Sequence, residues 1–398
     1  MKGKPHFLVP IEQYFDAFYK TLQRGVNIDT SRLFLLSYNT VIPQRLINNR
    51  KKLFRAFNLS LKEYHISLEV AEVNSKRNHA SLVLIENGCY SYANMPDDII
   101  TEVSDIEYYI EIKRINGQWK ISYMDSNNDA YLMANEKSSL YFQEMENRKD
   151  ANIDLRSVCL NKAFDSLDEE IDRIKLFNLN QNEMRQNEKE NIITAGTYGY
   201  DYNNGIIYAR KYARYNEVPE KERLFYYVSD NDCTNFMSQC VWAAYGGYVN
   251  SNIEASKKNV AEKNRMVYTG SLNSSWYGTA PGGGGTPPWE NVINFFNYVT
   301  APKDIGPRGR VYGEGKQKDF NFFHVKPGHI LQFWPASKNK WYHSCYVSSV
   351  KYQDGLPYIY VCQHTRDIKD RPLIEILNWN TNEGKIRGIS FDSANFNN

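Results

Sequence analysis

The sequence predicts an α+β protein in two parts, and three observations support this. Residues 11–57 read as helical and residues 63–125 as strands; after a polar stretch the order repeats, with helices from about 206 to 299 and strands from about 328 to 391. Helices and strands that segregate along a chain, rather than alternate, belong to α+β layouts. The length of 398 residues suits two or three domains, and 42% hydrophobic with 24% charged residues is an ordinary globular composition.

Residues 11–24 (IEQYFDAFYKTLQR) place Ile11, Tyr14, Phe15, Phe18, Tyr19 and Leu22 on one side of a helix. A second helical stretch runs from about Ser31 to Phe57. Glu63 to Val73, His79 to Leu84, Ile106 to Ile115 and Gln118 to Asp125 alternate or are rich in β-formers, and Asn116-Gly117 is a two-residue hairpin signal. His65 and His79 fall in these runs and are expected as sheet residues. Residues 138–195 are polar with sparse periodicity, and residues 178–191 read as a linker. The expected division is therefore 1–140, a helical and polar connection over 141–196, and a second domain over 197–398.

Helices-then-sheet over residues 1–140, closing on a strand with Trp119-Lys120-Ile121, resembles the NTF2-like (cystatin-superfamily) cone. That resemblance implies a pocket or a dimer face, and hence a homodimer through the N-terminal domain as one expected arrangement.

Bulk properties exclude several classes. The formal charge of +2 and the absence of a basic stripe make nucleic acid an unexpected partner. No run approaches the ~18 apolar residues of a membrane span. The six cysteines include no Cys-x-x-Cys pair, so no metal site, and no cofactor, is expected. Met1 to Pro10 has no apolar core of signal-peptide length, which leaves a cytosolic protein or a mature form as the two readings.

The most informative stretch is Asp232-Cys233-Thr234-Asn235-Phe236-Met237-Ser238-Gln239-Cys240. Cys233, Phe236, Met237, Cys240, Val241 and Ala244 recur at helical spacing. Asp232 stands at the N-cap position and Cys233 in the first turn, where the helix dipole and free N–H groups favour a thiolate. Cys240 reads as core. A thiol nucleophile needs a base close in space. His343 opens one apolar strand and His364 ends the next, with Asp354-Gly355 as a turn between them. With a two-residue turn Cys345 lies opposite His364; a register shifted by two puts His343 opposite His364. Both registers leave the histidines on one face, whereas a three-residue loop separates them. His343 is then the general base and His364 the group that orients its far nitrogen, with Gln363, Thr365 and Asp367 as rivals. His324 and His329 read as structural. Cys345 and Cys362 are expected as packed thiols. The Cys233 N–H is an oxyanion donor, with Tyr227 and Asn235 as candidates for the second. Trp276 and Tyr277, with Trp289 beyond the run Gly282 to Gly285, could line a substrate groove; core packing is the other reading of Trp289.

Residues 197 to about 375 resemble the putative amidase domain family, a papain-like branch related to NlpC/P60 and CHAP cell-wall hydrolases. The carrying features are Tyr200-Asp201, Tyr208-Ala209, Tyr212-Ala213, Asp232 to Phe236 with Ser238-Gln239, Ser275-Trp276, Pro327-Gly328, Leu331-Gln332-Phe333, His343-Ser344 and His364 to Asp367. The resemblance implies a permuted papain-like core with Cys233 as nucleophile and His343 as base; a histidine as third polar residue in NlpC/P60 relatives supports His364. His329 departs from the pattern, which has an acidic residue after the Pro-Gly turn. The expected activity is cysteine-dependent hydrolysis of an amide bond in peptidoglycan or its peptide fragments. The alternatives are a non-hydrolytic cell-wall or protein-binding module and a protein-modifying enzyme of the transglutaminase or deamidase type.

Overall fold

The computed structural model describes residues 5–35, 40–93, 95–97, 99–146, 155–181, 197–353, 356–380 and 383–397. The chain forms two compact units, Met1–Lys175 and Leu176–Asn398.

In the first unit, α1 (Val9–Arg24) buries Ile11, Tyr14, Phe15 and Leu22 at the spacing of an amphipathic helix. It ends at Gly25, whose φ of 66° is the left-handed cap conformation. The second predicted helix begins later than expected, as α2 (Val41–Ala56). Four strands follow as an antiparallel meander: β1 (Leu61–Lys76), β2 (His79–Tyr92), β3 (Ile100–Ile115) and β4 (Gln118–Ser126). Asn116 and Gly117 join β3 to β4 with φ of 51° and 82°, the twist that matches paired strands. His65 and His79 are sheet residues as expected, with His79 3.7 Å from Glu111. Helices α3 (Asp129–Glu146) and α4 (Leu155–Gln181) complete the unit, and Arg45 and Lys52 of α2 pair with Asp165 and Asp172 of α4. Most of the predicted linker, residues 182–191, lies outside the described residues.

Period-two burial along β2 takes Ala80, Leu82 and Leu84 inward, and carries Glu86 in with them. Its carboxyl accepts from the Tyr19 and Tyr108 hydroxyls, the latter at 2.7 Å. Burial raises its pKa, and the two hydroxyls oppose the rise. An acid whose folded pKa is raised costs stability as pH climbs above its ordinary value. Glu86→Gln is therefore expected to match the wild type near pH 4 and exceed it at pH 8 in denaturant midpoint. An equal loss at both pH values would show that the carboxylate itself is needed.

The second unit is a six-stranded antiparallel sheet with helices. In chain order it holds α5 (Tyr202–Tyr212), α6 (Cys233–Ala244), α7 (Ile253–Ala261), α8 (Pro287–Glu290), α9 (Val292–Thr300), β5 (Arg308–Lys316), β6 (Ile330–Trp334), β7 (His343–Gln353), β8 (Leu356–Gln363), β9 (Ile368–Pro372), α10 (Leu373–Asn380) and β10 (Lys385–Asp392). The strand order is β9-β8-β7-β6-β10-β5. All twelve residues of α6 are buried, as a helix enclosed on every side requires. Gly282 to Gly284 are exposed, and the four-glycine loop is closely packed only at its end: a Cβ on Gly285 would stand 2.5 Å from the Tyr226 hydroxyl, and its N–H donates to Glu290 at 2.7 Å.

One irregularity decides the site. Near the hairpin tip Gln353 pairs with Leu356, the register of a two-residue loop; the connecting Asp354 and Gly355 lie outside the described residues. Further along, Val347 pairs with Val361 but Ser349 with Tyr360, so Ser348 is an extra residue in β7. Ser348 Oγ donates to Asp370 at 2.5 Å, and Arg210 pairs with Asp370 at 3.0 Å, which fixes the bulge from both sides. Among the described residues no helix is long and apolar enough to cross a membrane.

Candidate active site

Cys233 is the first residue of α6 and is 6% exposed. Its Sγ lies 3.8 Å from Thr234 Oγ1 and 4.0 Å from the Tyr342 carbonyl, and it accepts the Ser344 N–H. The thiol therefore rests on the backbone either side of His343, at the start of β7. Burial raises its pKa; the Thr234 hydroxyl and the Thr234 and Ser344 N–H groups oppose the rise, while the Asp232 charge adds to it. The thiolate that the helix start alone would favour is thus outweighed by desolvation. His343 is 5% exposed, its ring 6.4 Å from that of Phe333. The next residue, Ser344, meets α6 through Thr234 Oγ1 at 3.4 Å.

The expected His343–His364 pairing is not formed. The Ser348 bulge shifts the register by one residue, which carries His364 out of phase with His343 and sets it against α6. His364 Nδ1 lies 2.6 Å from Asp232 Oδ2 and its Nε2 2.8 Å from the Tyr212 carbonyl. Its ring stacks on Phe236 at 3.9 Å. Two acceptors, one on each nitrogen, are met by an imidazolium. Burial works against that charge, but Asp367, Asp232 and the Tyr212 carbonyl together raise the His364 pKa. Asp367 is itself raised to about 6 by burial, against the pull of His364.

Asp232 occupies the N-cap position without capping through its side chain. Its carboxylate accepts from Val228 N–H at 2.9 Å and Asn235 Nδ2 at 2.8 Å and pairs with His364. Asn235 is equally committed. Its Nδ2 also donates to the Tyr226 carbonyl, and its Oδ1 accepts from Gln239 and from Trp289 Nε1 at 2.7 Å. Both amide hydrogens are in use, so the expected oxyanion role is corrected to a structural one. The Tyr227 hydroxyl donates to Asp367 at 3.3 Å, and its ring stacks on Tyr215 at 4.5 Å. Trp276 and Trp289 are both 0% exposed, with rings 4.7 Å apart, so they are core rather than groove. Among the rivals, Gln363 Oε1 lies 3.9 Å from Cys345 Sγ, and Thr365 Oγ1 accepts the Asp232 N–H at 2.9 Å. Cys345 and Cys362 are free buried thiols, as expected. His329 accepts the Lys326 N–H, and burial lowers its pKa to about 3.

Sequence reasoning missed a polar row. Ser344, Gln332, Arg387 and Glu314 stand directly opposite one another on β7, β6, β10 and β5. Gln332 Nε2 donates to Ser344 Oγ at 3.1 Å, and Arg387 Nε to Gln332 Oε1 at 2.7 Å. The signal was present as single polar residues inside the apolar runs ILQFW and KIRGISF. Among the described residues no cluster of three or more His, Cys, Asp or Glu is placed to hold a metal.

Part of the chain resembles solved structures. These include a putative scytalone dehydratase from Novosphingobium aromaticivorans (12% identity, 30% of this chain and 81% of that one, TM-score 0.21). A putative aromatic ring hydroxylase from the same organism (14% identity, 31% and 90%, TM-score 0.21) and a Kribbella flavida protein (13% identity, 31% and 94%, TM-score 0.21) are similar to the same extent. Comparison with curated proteins gives no significant match. Residues 199–389 match the family model described as a putative amidase domain, and this match supports amide hydrolysis as the general activity of the second unit.

Proposed function

We propose that the second unit is a papain-like cysteine amidase, with Cys233 as nucleophile and His343 as general base, acting on an amide bond of peptidoglycan or its peptide fragments. The observation that carries this reading is the Cys233 thiol at the first residue of a wholly buried helix, seated on the backbone around His343. In the first step His343 takes the thiol proton, sulfur bonds to the carbonyl carbon, and the carbonyl oxygen takes the negative charge. The imidazolium then gives its proton to the nitrogen as the C–N bond breaks, leaving a thioester. Water, deprotonated by His343, releases the acid and restores the thiol. The Cys233 N–H is one donor to the oxyanion. Residues 1–140 are proposed as an NTF2-like module that contributes a pocket or a dimer face; the helices and four-stranded meander support that reading.

Digestion of purified peptidoglycan, read by mass spectrometry, tests the proposal. Wild-type protein is expected to release fragments whose masses name the bond, and Cys233→Ala to release none. Release by both proteins would remove Cys233 from the chemistry. No release by either, with Cys233 still alkylated quickly, would move the target to a protein or small-molecule amide.

A further inference from the structure

Arg387 is 4% exposed in the middle of the polar row. Its guanidinium lies between the ring of Phe296 on α9, at 3.5 Å, and that of Trp341, just before β7, at 4.0 Å. Nε donates to Gln332, and Nη2 to the Val292 carbonyl at 3.5 Å. These bonds use two of the five N–H groups that a guanidinium carries. Buried cations are ordinarily matched by a carboxylate. Here the facing acidic side chain is Glu314 on β5, which is exposed; it acts on Arg387 through space and makes no ion pair with it among the described residues. Arg387 is thus a rigid, desolvated cation, and the protein supplies it with neutral acceptors and aromatic faces rather than an anion.

Its place in the sheet ties it to the nucleophile. The row runs from Arg387 through Gln332 and Ser344 to Thr234, the neighbour of Cys233. Two strand spacings separate β10 from β7, which puts Arg387 about 10 Å along the row from Ser344. That is the reach of roughly three residues of an extended peptide. Trp341 stacks on Arg387 and lies two residues before His343, so the same short segment borders the cation and the proposed base.

We propose that Arg387 is the binding site for a carboxylate of the substrate, about three residues from the scissile amide. The protein would then select acidic peptides, by a free C-terminal or side-chain carboxylate. The chemistry is the planar fork of a guanidinium meeting a carboxylate, in a site where stacking has already removed water from both ring-facing sides. The proposal rests on Cys233 being the nucleophile, and its test separates the two.

The test uses two affinity labels on the full chain: N-iodoacetylglycylglycine, which carries a carboxylate at about that reach from its reactive carbon, and its neutral methylamide. Alkylation of Cys233 is followed by mass spectrometry. In the wild type the charged label is expected to react with Cys233 at least tenfold faster than the neutral one. In Arg387→Gln, which retains an amide facing Gln332, the preference for the charged label is lost. Arg387→Lys retains part of the preference. Equal rates for both labels in the wild type, with Cys233 alkylated ahead of the other thiols, would overturn the carboxylate site and leave the nucleophile standing. A Cys233 no faster than the other thiols towards either label would overturn the nucleophile and the site together. If Arg387→Gln lost both rates alike, with the wild type showing no preference, the residue would be structural.

Discussion

If Cys233 and His343 have the proposed roles, replacement of His343 by Ala is expected to lower kcat/KM for any amide the protein cleaves by about 10⁴-fold or more, close to the loss from Cys233→Ser, because a nucleophile and its base act as a unit. The double variant is expected to lose no more than either single one. The pH profile sharpens the expectation. Burial raises the Cys233 pKa, and the adjacent hydroxyl and N–H groups only partly offset it. A thiol raised in this way ionises above the ordinary value of about 8.5 unless a cation forms beside it. With His343 as that cation, iodoacetamide should alkylate wild-type Cys233 near neutral pH. In His343→Ala the midpoint of the rate–pH curve should move upward. Superimposable curves for the two proteins would remove His343 as the base.

Loss of the Asp232 carboxylate has the second largest expected effect. Asp232→Ala strips partners from Val228 N–H, Asn235 Nδ2 and His364 in one change, and leaves the imidazole buried beside Asp367 alone. Removing one member of a buried ion pair costs about 3–5 kcal/mol. For a unit of this size that is a fall of about 10 °C in Tm. His364→Gln should cost less, because an amide can still bond to the Tyr212 carbonyl or to Asp232. The sign of the pH dependence follows from the raised His364 pKa: its stabilisation is complete below pH 6.5 and is lost as pH rises through the folded value. Asp367, raised to about 6, adds a cost that grows from its ordinary value up to that pH and is constant beyond. Wild-type Tm should therefore fall on the alkaline side, and His364→Gln should flatten that fall. An Asp232→Ala variant within 2 °C of wild type would show that the cluster carries no such energy.

The parts of this protein legible in its sequence are those where one force acts alone. Periodic burial placed α1, α6 and the four strands of the first unit, and the left-handed preference of Asn116-Gly117 placed its last hairpin. The elements missed are ones whose pattern is diluted. Strand β5 reads RGRVYGEGK, with three glycines and four charges, and β9 reads IKDRP. Such segments are strands because their neighbours in the sheet make them so. At the site, Cys233 and its helix start were readable from local spacing, whereas partners were not. His364 was assigned to His343 on an unbroken register, and a single inserted residue reversed its face. Asn235, Trp276 and Trp289 look chemically eligible in one dimension; only the packed core shows their polar atoms already engaged or their rings sealed from solvent. Arg387 was overlooked because its meaning lies in a row across four strands that are distant in the chain.

The extra residue in β7 also divides the strand into two segments that are out of phase. From Gln353 to Ser349 the side chains keep step with the hairpin tip; from Val347 to His343 they keep step with α6. Changes in the length of the tip between Gln353 and Leu356 are therefore absorbed before they reach the thiol. The site is insulated from the loop above it, and variation there can alter what the hairpin touches without resetting the chemistry. Deletion of Ser348 would do the reverse, leaving the tip undisturbed while exchanging the surroundings of Ser344 and His343.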